Sequence, residues 1–549
     1  MMCKSKKDKR NITLFFIIIL SISFFLRFWG ITFPIENAIP PGLWFDEALN
    51  GLDAYCLHSN YDFRLIYPDV FPREGMFIWI LGLMTSIFGD NIFSLRFSSC
   101  LISTLAVGAF FFLIREIFSL KIAFLAMIVL GIMRWSVHFG HLVFRTNLVP
   151  LFSSLSLLFL IRIRKNPEKK INYFLFGLIL AGGFYTYLSW YFVLPVLFIV
   201  AIINFKGIGF WGSNESQTTS EQKFCSISDS IFKLPKSKLL ILLTTFIIFF
   251  TPIFLQYLFH PSSIFARPAE VSPLKQGLSS AIEEIFKNTK YVISMFSFSG
   301  DHVAKHNIPY RPVFGSYGFI FFWLGIFILI KNIKNNSGCI IILCWIIFSS
   351  LPSIFSKTDS ANMLRNLGAT PPSAIIYSIG IFSFAELVRK IGFLRTERLK
   401  KIAYSIFIFA GFLPLILDLY AFFFIWKNDP RVASEFLIHI VKVAKKCNEL
   451  SSEYPVAVTS EIADNLTFKY VTLKNNNVYS LNSEKPDLDF IFREAEIKNK
   501  NSVIVVMRKF SDTERIFLQK YPEAKITGYF KTPEEIVWAE MFVILHKNQ

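Results

Sequence analysis

Long apolar stretches alternate with short polar segments over roughly the first 426 residues of the chain. An α-helix needs about 20 apolar residues to cross the hydrocarbon core of a bilayer. Eleven stretches approach or reach that length, near residues 12–33, 95–114, 120–138, 147–163, 171–187, 190–205, 238–259, 316–330, 338–355, 370–388 and 402–426. The pattern therefore predicts a polytopic α-helical membrane protein with about 11 transmembrane helices.

The segments between these stretches differ in charge, and this difference predicts the orientation of the helices. Lys and Arg are concentrated at the N-terminus and in alternate segments, as in the run from Arg162 to Lys170. Cytoplasmic loops of membrane proteins carry such an excess of basic residues. We therefore expect a cytoplasmic N-terminus and three large segments on the outer side, at 34–94, 260–315 and after 426.

Two further segments are not expected to cross the bilayer. The apolar stretch 76–88 has only about 13 residues, which favours an interfacial or re-entrant helix. Counting it as a span would invert every later loop, against the charge bias. The segment 212–220 is polar and is predicted to be a flexible cytoplasmic loop without a catalytic role.

The overall composition agrees with a membrane protein. Hydrophobic residues make up 53% of the chain, and the formal charge of +18 comes from Lys and Arg that lie mainly between apolar stretches. This distribution is typical of orientation signals and argues against a nucleic-acid partner. The seven cysteines show neither the paired spacing of a metal site nor a disulfide framework.

The segment from 427 to 549 changes character, because short strand-like and helix-like runs replace the long apolar stretches. Strands are predicted at 455–459 and 503–507, and a helix over 433–446. We interpret 427–549 as a small extracytoplasmic α/β domain after a transmembrane domain of residues 1–426. It contains no catalytic motif, so we expect an accessory or recognition role.

Two adjacent carboxylates, Asp46 and Glu47, follow the first apolar stretch. They come after Pro40-Pro41-Gly42, which ends regular structure, so we expect them at the start of a short helix at the membrane surface. A carboxylate at that place can accept a proton from a hydroxyl and act as a general base. The alternative is structural, with Asp46 capping the helix and Glu47 exposed to solvent.

More charged residues fall on the same predicted face of the membrane. Glu74 precedes the stretch 76–88, Arg96 and Arg145 begin the second and fourth spans, and Arg365 lies before the tenth. A single Arg at such a place can be an interface anchor whose head group reaches water. Several of them near carboxylates fit a lipid phosphate, because guanidinium stays charged and binds phosphate oxygens with paired hydrogen bonds.

Tyrosines and histidines add two weaker candidates. Tyr185 and Tyr187 lie at the outer end of a span, where they form either an aromatic belt or a surface for sugar stacking and phosphate hydrogen bonding. Asp301, His302 and His306 have the residue types of a metal site, since two histidines four residues apart share a helix face.

Glycine and proline around this set nevertheless indicate a loop, at Gly300 and Pro309. We therefore predict no metal site and no certain cofactor, and keep a divalent cation as the alternative. His138 and His141 are three residues apart, and we expect structural roles for them near the interface.

These residues occur in an order that resembles GT-C fold glycosyltransferases of the protein O-mannosyltransferase and aminoarabinose-transferase-like group, glycosyltransferase family 39. The matching strings are Trp44-Phe-Asp-Glu-Ala48, Arg73-Glu74-Gly75, Leu95-Arg96-Phe-Ser-Ser99, Phe144-Arg145-Thr-Asn-Leu-Val-Pro150, Tyr185-Thr-Tyr187, Gly300-Asp301-His302, His306-Asn307-Ile-Pro309 and Leu364-Arg365-Asn-Leu-Gly368. The resemblance covers about residues 10–426 and leaves the tail unexplained. Relatives often carry a His where this chain has Asn362. If that His binds the substrate phosphate in them, this chain is expected to bind the phosphate differently or to use a different donor.

The resemblance implies an inverting enzyme of the inner (plasma) membrane that moves a sugar from a polyprenyl-phosphate donor to a protein, lipid or glycan hydroxyl on the extracytoplasmic side. It implies Asp46 as the base, with Glu47 and Glu74 orienting acceptor, sugar or a cation. The residues implied to neutralise the lipid phosphate are Arg96, Arg145 and Arg365. Further substrate contacts are implied for Tyr185, Tyr187, Asp301, His302, His306 and Asn307. We expect all of these groups to enclose one pocket open to the outer leaflet.

Two other functions remain open at this point. A transporter or flippase of lipid-linked sugars would also need many spans and buried Arg, but transporters usually show an internal repeat and helix breaks at mid-membrane depth. No convincing repeat appears in this sequence. The other alternative is an inactive relative that only binds glycolipid or partner proteins.

Overall fold

A computed structural model of the chain describes residues 6–203, 235–357, 361–389, 396–482, 487–497, 502–509 and 511–545. The polar segment 212–220, predicted to be flexible, lies outside these residues. The chain divides into two compact units. The first comprises Met1–Trp29, Asp62–Ile80 and Arg96–Phe423, and the second comprises Gly30–Tyr61, Leu81–Leu95 and Phe424–Gln549.

Helices dominate the part of the chain that precedes residue 421. They are α1 (Lys6–Phe28), α2 (Phe45–Ser59), α3 (Met76–Phe88), α4 (Ile92–Ile117), α5 (Leu120–Ile132), α6 (Arg134–Gly140), α7 (Leu148–Lys165), α8 (Lys170–Gly183), α9 (Leu194–Ile202), α10 (Lys236–Phe259), α11 (Ser262–Val271), α12 (Leu278–Ser294), α13 (Gly318–Lys331), α14 (Ser337–Ile354), α15 (Thr370–Arg389) and α16 (Glu397–Tyr420). A short antiparallel pair, β1 (Ile66–Tyr67) and β2 (Arg73–Glu74), lies between α2 and α3.

The chain is a multi-pass membrane protein. Seven of the described helical segments are long and apolar enough to cross a bilayer, and α5 with α6 forms one bent pair that passes the same test. Shorter apolar helices occur at α3, α8, 188–202 and α13. Each of the eleven predicted stretches overlaps one of these helical segments or the bent pair, and the predicted short helix at 76–88 is α3.

The break between α5 and α6 is bound by an arginine of α1. The two helices meet at an angle of 55° around Met133, which has an extended backbone conformation. Such a break frees carbonyls at the end of the first helix. Arg27 of α1 donates to the carbonyls of Leu130 and Gly131 at 3.3 and 2.8 Å, and its guanidinium is completely buried.

The second unit contains a five-stranded mixed sheet. Its strands are β3 (Val456–Thr459), β4 (Val478–Leu481), β5 (Ser502–Arg508), β6 (Lys525–Lys531) and β7 (Val537–Leu545), and its helices are α17 (Pro430–Glu435), α18 (Ile438–Leu450), α19 (Ser460–Ala463), α20 (Leu466–Val471), α21 (Asp489–Ile497) and α22 (Asp512–Lys520). The strand order is β4-β3-β5-β7-β6, with β3 parallel to β4 and β5, and β7 antiparallel to β5 and β6. The strands predicted at 455–459 and 503–507 are confirmed as β3 and β5.

Both faces of this sheet are covered by apolar side chains. Along β5, Val503 and Val505 belong to one buried cluster, whereas Ile504 and Val506 belong to another. Successive side chains of a strand point to opposite faces, so a continuous apolar run indicates a strand buried on both sides. The apolar run in the sequence therefore reflects a two-sided core.

The loop before α2 is attached to the C-terminal part of the second unit. The Leu43 N–H donates to the Phe436 carbonyl at 2.7 Å, and the Thr467 hydroxyl donates to the Leu43 carbonyl at 3.2 Å. Gly42 has a φ of +84°, and a Cβ there would lie 2.2 Å from the Phe436 oxygen. Only glycine fits this approach, so the start of α2 has a fixed backbone position.

Candidate active site

Glu47 caps the helix that carries the two adjacent carboxylates. Trp44 has an extended backbone just before α2, and its N–H donates to the Glu47 carboxylate at 3.1 Å. An acidic group in the first helical turn also interacts favourably with the positive end of the helix dipole. The buried Glu47 therefore has the structural role that the alternative interpretation had given to Asp46.

Asp46 is different, although it lies beside Glu47 in the first turn of α2. Its side chain is half-buried, and within the described ranges it takes part in no hydrogen bond or ion pair. A base must have an accessible carboxylate oxygen that can accept the proton of the reacting hydroxyl. Asp46 is thus partly exposed and has no competing contact among the described residues.

In the first unit, Glu74 and Arg145 form a buried ion pair. The Arg145 guanidinium donates to Glu74 at 2.5 Å, and their side chains are 10% and 7% exposed. Glu74 is held in strand β2, opposite Ile66 of β1, while Arg145 begins the helical turn that leads into α7. Burial raises the pKa of Glu74, and the charge of Arg145 opposes this shift.

Aromatic rings surround the Arg145 guanidinium. Its central carbon lies 5.4 Å from the ring centre of Tyr187 and 5.9 Å from that of Phe71. Such contacts hold the plane of the guanidinium and leave its other N–H groups available, since Arg has five of them. The two residues predicted from separate strings, Arg145 and Tyr187, are thus neighbours in the structure.

Tyr185 has a local packing role. Its hydroxyl donates to the Phe249 carbonyl at 2.8 Å, and its ring lies 5.6 Å from that of Trp79. Its carbonyl accepts the Met76 N–H at the start of α3. Tyr185 therefore connects α10 and α3, which positions the segment that carries Glu74.

A buried loop contains Asp301, His306 and Asn307. The Asp301 carboxylate accepts the N–H groups of Val303 and Met363 at 2.9 and 3.0 Å, and His306 Nδ1 lies 3.3 Å from it. Burial alone would raise the pKa of Asp301, but the neighbouring His306 and the two N–H donors outweigh it and hold the pKa below its usual range. Because Met363 is two residues before Arg365, Asp301 also fixes the segment that carries this arginine.

The same loop is held by an arginine that the motif analysis missed. Arg134 of α6 donates to the Asn307 side chain at 2.5 Å and to the Pro312 carbonyl at 2.8 Å. Asn307 donates in turn to the carbonyls of Asp301 and Arg311. An ionisable residue inside an apolar stretch is a default functional candidate, and this rule selects both Arg134 and Arg27.

The remaining predicted residues lie in different surroundings. Arg96 is completely buried in α4, whereas Arg365 is half-buried in the segment before α15. Asn362 accepts the Arg365 N–H at 2.9 Å and so holds the backbone of that segment. His302 is exposed, with its ring 6.2 Å from that of Tyr310, whereas His306 is buried.

Among the residues that the structure describes, no group of three or more His, Cys, Asp or Glu side chains is arranged to hold a metal ion. Asp301 and His306 supply two such side chains, and His302 is exposed. The described residues therefore offer no ligand set for the divalent cation considered from the sequence.

Part of the chain matches a known protein family. Residues 75–211 match the family described as dolichyl-phosphate-mannose-protein mannosyltransferase. This segment includes Arg96, Arg145 and Tyr187. No curated protein matches the chain.

Solved structures resemble this chain over most of its length. The crystal structure of ArnT from Cupriavidus metallidurans bound to undecaprenyl phosphate matches with a TM-score of 0.51 and 11% identity, covering 98% of this chain and 99% of that chain. The apo structure of the same protein gives the same TM-score and identity. The oligosaccharyltransferase of Archaeoglobus fulgidus matches with a TM-score of 0.49 and 12% identity, over 91% of this chain and 70% of that chain. At these identities the likeness to ArnT is one of fold.

Proposed function

Since the chain is a multi-pass membrane protein with the GT-C fold, we propose that it is a glycosyltransferase that uses a polyprenyl-phosphate-linked sugar. The sugar passes to an acceptor hydroxyl on the extracytoplasmic side of the inner membrane, with the N-terminus in the cytoplasm. The observation that carries the proposal is the Asp46 carboxylate at the start of α2, which has no hydrogen-bond or ion-pair partner within the described ranges, in a chain with this fold. The ArnT structure supports the donor class, because that protein was crystallised with undecaprenyl phosphate.

Asp46 is the proposed general base. Its carboxylate takes the proton of the acceptor hydroxyl while the oxygen attacks the anomeric carbon of the donor. The bond from that carbon to the phosphate oxygen breaks, and polyprenyl phosphate leaves with the electron pair. A single displacement of this kind inverts the anomeric configuration. Glu47 supports the base by fixing the first turn of α2.

The arginines are proposed to stabilise the departing phosphate. Arg145 is held by Glu74 through one nitrogen and by the rings of Tyr187 and Phe71, so its orientation is set before substrate binds. Fixed cationic groups stabilise developing negative charge without further reorganisation. Arg96 and Arg365 have the same proposed role, and Asp301 positions Arg365 through the Met363 N–H.

The test is a transfer assay with the purified full-length protein in lipid nanodiscs. Radiolabelled polyprenyl-phosphate hexoses and pentoses are incubated with protein, glycan and lipid acceptors, and the anomeric configuration of the product is determined by NMR. Asp46→Asn should lower the turnover number by about 10² to 10⁴, the usual contribution of a general base. Thermal unfolding of the variant should match that of the wild type.

Asp69→Asn is the matched control, because Asp69 is an exposed carboxylate of the segment that leads to β2. Transfer that survives in Asp46→Asn as well as in Asp69→Asn would remove Asp46 from its role. Movement of the labelled donor across proteoliposomes without transfer to any acceptor would favour the transporter alternative.

A further inference from the structure

The second unit contains a cleft that the proposed chemistry does not use. It has a volume of about 560 Å³ and is formed by the loop before α2, by residues 427–442 and by the turn between β6 and β7. Small-molecule sites in proteins typically enclose about 300–1,000 Å³. The cleft is therefore large enough for one or more sugar rings.

Charged side chains on the wall of this cleft differ in whether they already form hydrogen bonds or ion pairs. Asp429 accepts hydrogen bonds from the backbone and the guanidinium of Arg431, and Glu535 forms an ion pair with Lys531 at 2.9 Å. These two carboxylates are therefore already engaged by nearby groups of the unit.

Two further lysines, Lys427 and Lys442, lie on the wall, and the charge of Lys442 also acts on Glu535. Lys427 lies 6.0 Å from the ring centre of Phe33, and Lys442 is exposed on α18. In the part of the chain that the structure describes, neither forms an ion pair, and the same holds for the exposed Glu36. The available charge in the cleft is thus positive overall, with one carboxylate that can accept hydrogen bonds from hydroxyl groups.

An aromatic ring and an ordered turn complete the wall. Tyr529 is 56% exposed, with the Lys509 ammonium 5.6 Å from its ring centre. The turn after it is held by the Thr532 N–H to the Ile536 carbonyl at 2.8 Å, and Glu535 has a φ of +63°. A non-glycine residue in this conformation is strained, and such strain persists where the surroundings hold the backbone in place. The wall is therefore ordered before a ligand arrives.

We propose that this cleft binds a saccharide that carries a negatively charged group. The apolar face of a sugar ring packs on Tyr529, its hydroxyls bond Glu36 and neighbouring polar groups, and the anionic group contacts Lys427 and Lys442. An isolated anion would use only the lysines, and a neutral sugar would use only the ring and the polar groups.

Chain connectivity relates this cleft to Asp46. Pro41 lies on the wall of the cleft and precedes Asp46 by five residues, which span at most about 18 Å even when fully extended. An extended anionic saccharide can therefore reach from the cleft toward α2. We therefore infer that the cleft holds the acceptor, and this assignment rests on the proposed function. The binding of an anionic saccharide to the cleft does not depend on that function.

Binding is measured first, with the full-length protein in neutral nanodiscs. Galactose 6-phosphate, galactose and inorganic phosphate are titrated, and affinity is followed by calorimetry. We expect galactose 6-phosphate to bind more tightly than either of the others. The double variant Lys427→Ala/Lys442→Ala should weaken it by about tenfold or more, since hydrogen bonds to charged groups are lost.

Lys445→Ala is the matched control, because Lys445 is exposed on α18 and lies outside the cleft. Its affinity should equal that of the wild type, and Tyr529→Ala should weaken galactose 6-phosphate but not inorganic phosphate. Equal binding of inorganic phosphate and galactose 6-phosphate, or unchanged affinity in the double variant, would overturn the proposal.

A second arm distinguishes a soluble from a lipid-borne ligand. Nanodiscs or vesicles containing sulfatide are compared with vesicles containing galactosylceramide, which lacks the sulfate. Preference for sulfatide that is lost in Lys427→Ala/Lys442→Ala identifies a glycolipid source, and preference for galactose 6-phosphate alone identifies a soluble one. Asp46→Asn should bind both probes with the affinity of the wild type. A loss of sugar transfer and a loss of binding to the cleft can therefore be told apart.

Discussion

Neighbouring side chains of the same chemical type have different roles in this protein. Glu47 is buried and accepts the Trp44 N–H, whereas the half-buried Asp46 beside it makes no such contact among the described residues. Glu74 is different again, because it is paired with Arg145. The three carboxylates thus differ in their partners, although they share the same chemical group.

The Arg145 and Glu74 pair gives the first prediction. Arg145→Met should lower the free energy of unfolding by roughly 3–5 kcal/mol, because it leaves a buried carboxylate without its counter-ion. The double variant Arg145→Met/Glu74→Gln should recover part of that loss, although it remains inactive in transfer. Thermal unfolding of the four proteins in a double-mutant cycle measures the effect. If the effects of Arg145→Met and Glu74→Gln simply add in the double variant, the two side chains do not interact directly.

At the level of helices, the break between α5 and α6 depends on a side chain from α1. Arg27 donates to Ser23, Ser103 and Ser136 in addition to the carbonyls at the end of α5. All of these partners are neutral oxygens, and the helix end contributes the negative end of its dipole. A charged residue inside an apolar stretch thus stabilises a backbone that would otherwise have unsatisfied carbonyls.

Arg27→Met should therefore lower the free energy of unfolding by roughly 3 kcal/mol or more, since buried acceptors lose their donors. Arg10→Met serves as the control, because Arg10 is an exposed residue of the same helix. Thermal unfolding in detergent distinguishes the two. If both variants shift the transition equally, Arg27 does not hold the break.

Across longer distances in the chain, the second unit is assembled from three separate segments. Asp90, in the turn between α3 and α4, has a side chain that is 4% exposed. It accepts from His58 of α2 at 2.7 Å and lies 2.9 Å from Lys474, in the turn after α20. One carboxylate thus connects the helix that carries Asp46 with the C-terminal sheet region.

This network predicts a pH-dependent stability. Burial would raise the pKa of Asp90, but hydrogen bonds and charges of His58 and Lys474 outweigh it and hold the pKa below its ordinary value of 3.8. Because the pKa of Asp90 is lower in the folded protein, its ionised form stabilises the fold above about pH 3.8. This stabilisation is lost as the pH falls through the pKa of the folded state. Asp90→Asn should lower the free energy of unfolding by roughly 1–3 kcal/mol at pH 7, and by progressively less below about pH 4.

The control for this prediction is Asp464→Asn, since Asp464 forms an exposed pair with Lys469. Its effect should stay within about 0.5 kcal/mol at every pH. Urea unfolding between pH 3 and pH 7 provides the measurement. A constant difference between wild type and Asp90→Asn over that range would show that the ionised form of Asp90 is not what stabilises the unit.

Some of these properties are local and could be read from the chain. Helix length, apolar content and alternating charge are set by neighbouring residues, so the helices, the short helix α3 and the strands β3 and β5 were predictable. The Phe-Arg-Thr-Asn and Tyr-Thr-Tyr strings likewise selected Arg145 and Tyr187 as candidates.

Other properties depend on residues far apart in the chain, and no local pattern contains them. Three examples are the capping of α2 by Glu47 and not by Asp46, the different exposure of His302 and His306, and the burial of Arg27 against α5. Each depends on which groups come into contact in the folded chain. The cleft near Lys442 is formed only when three distant segments fold together. Hydrogen bonds and burial require contact in space, so folding had to supply what periodicity and charge along the chain could not.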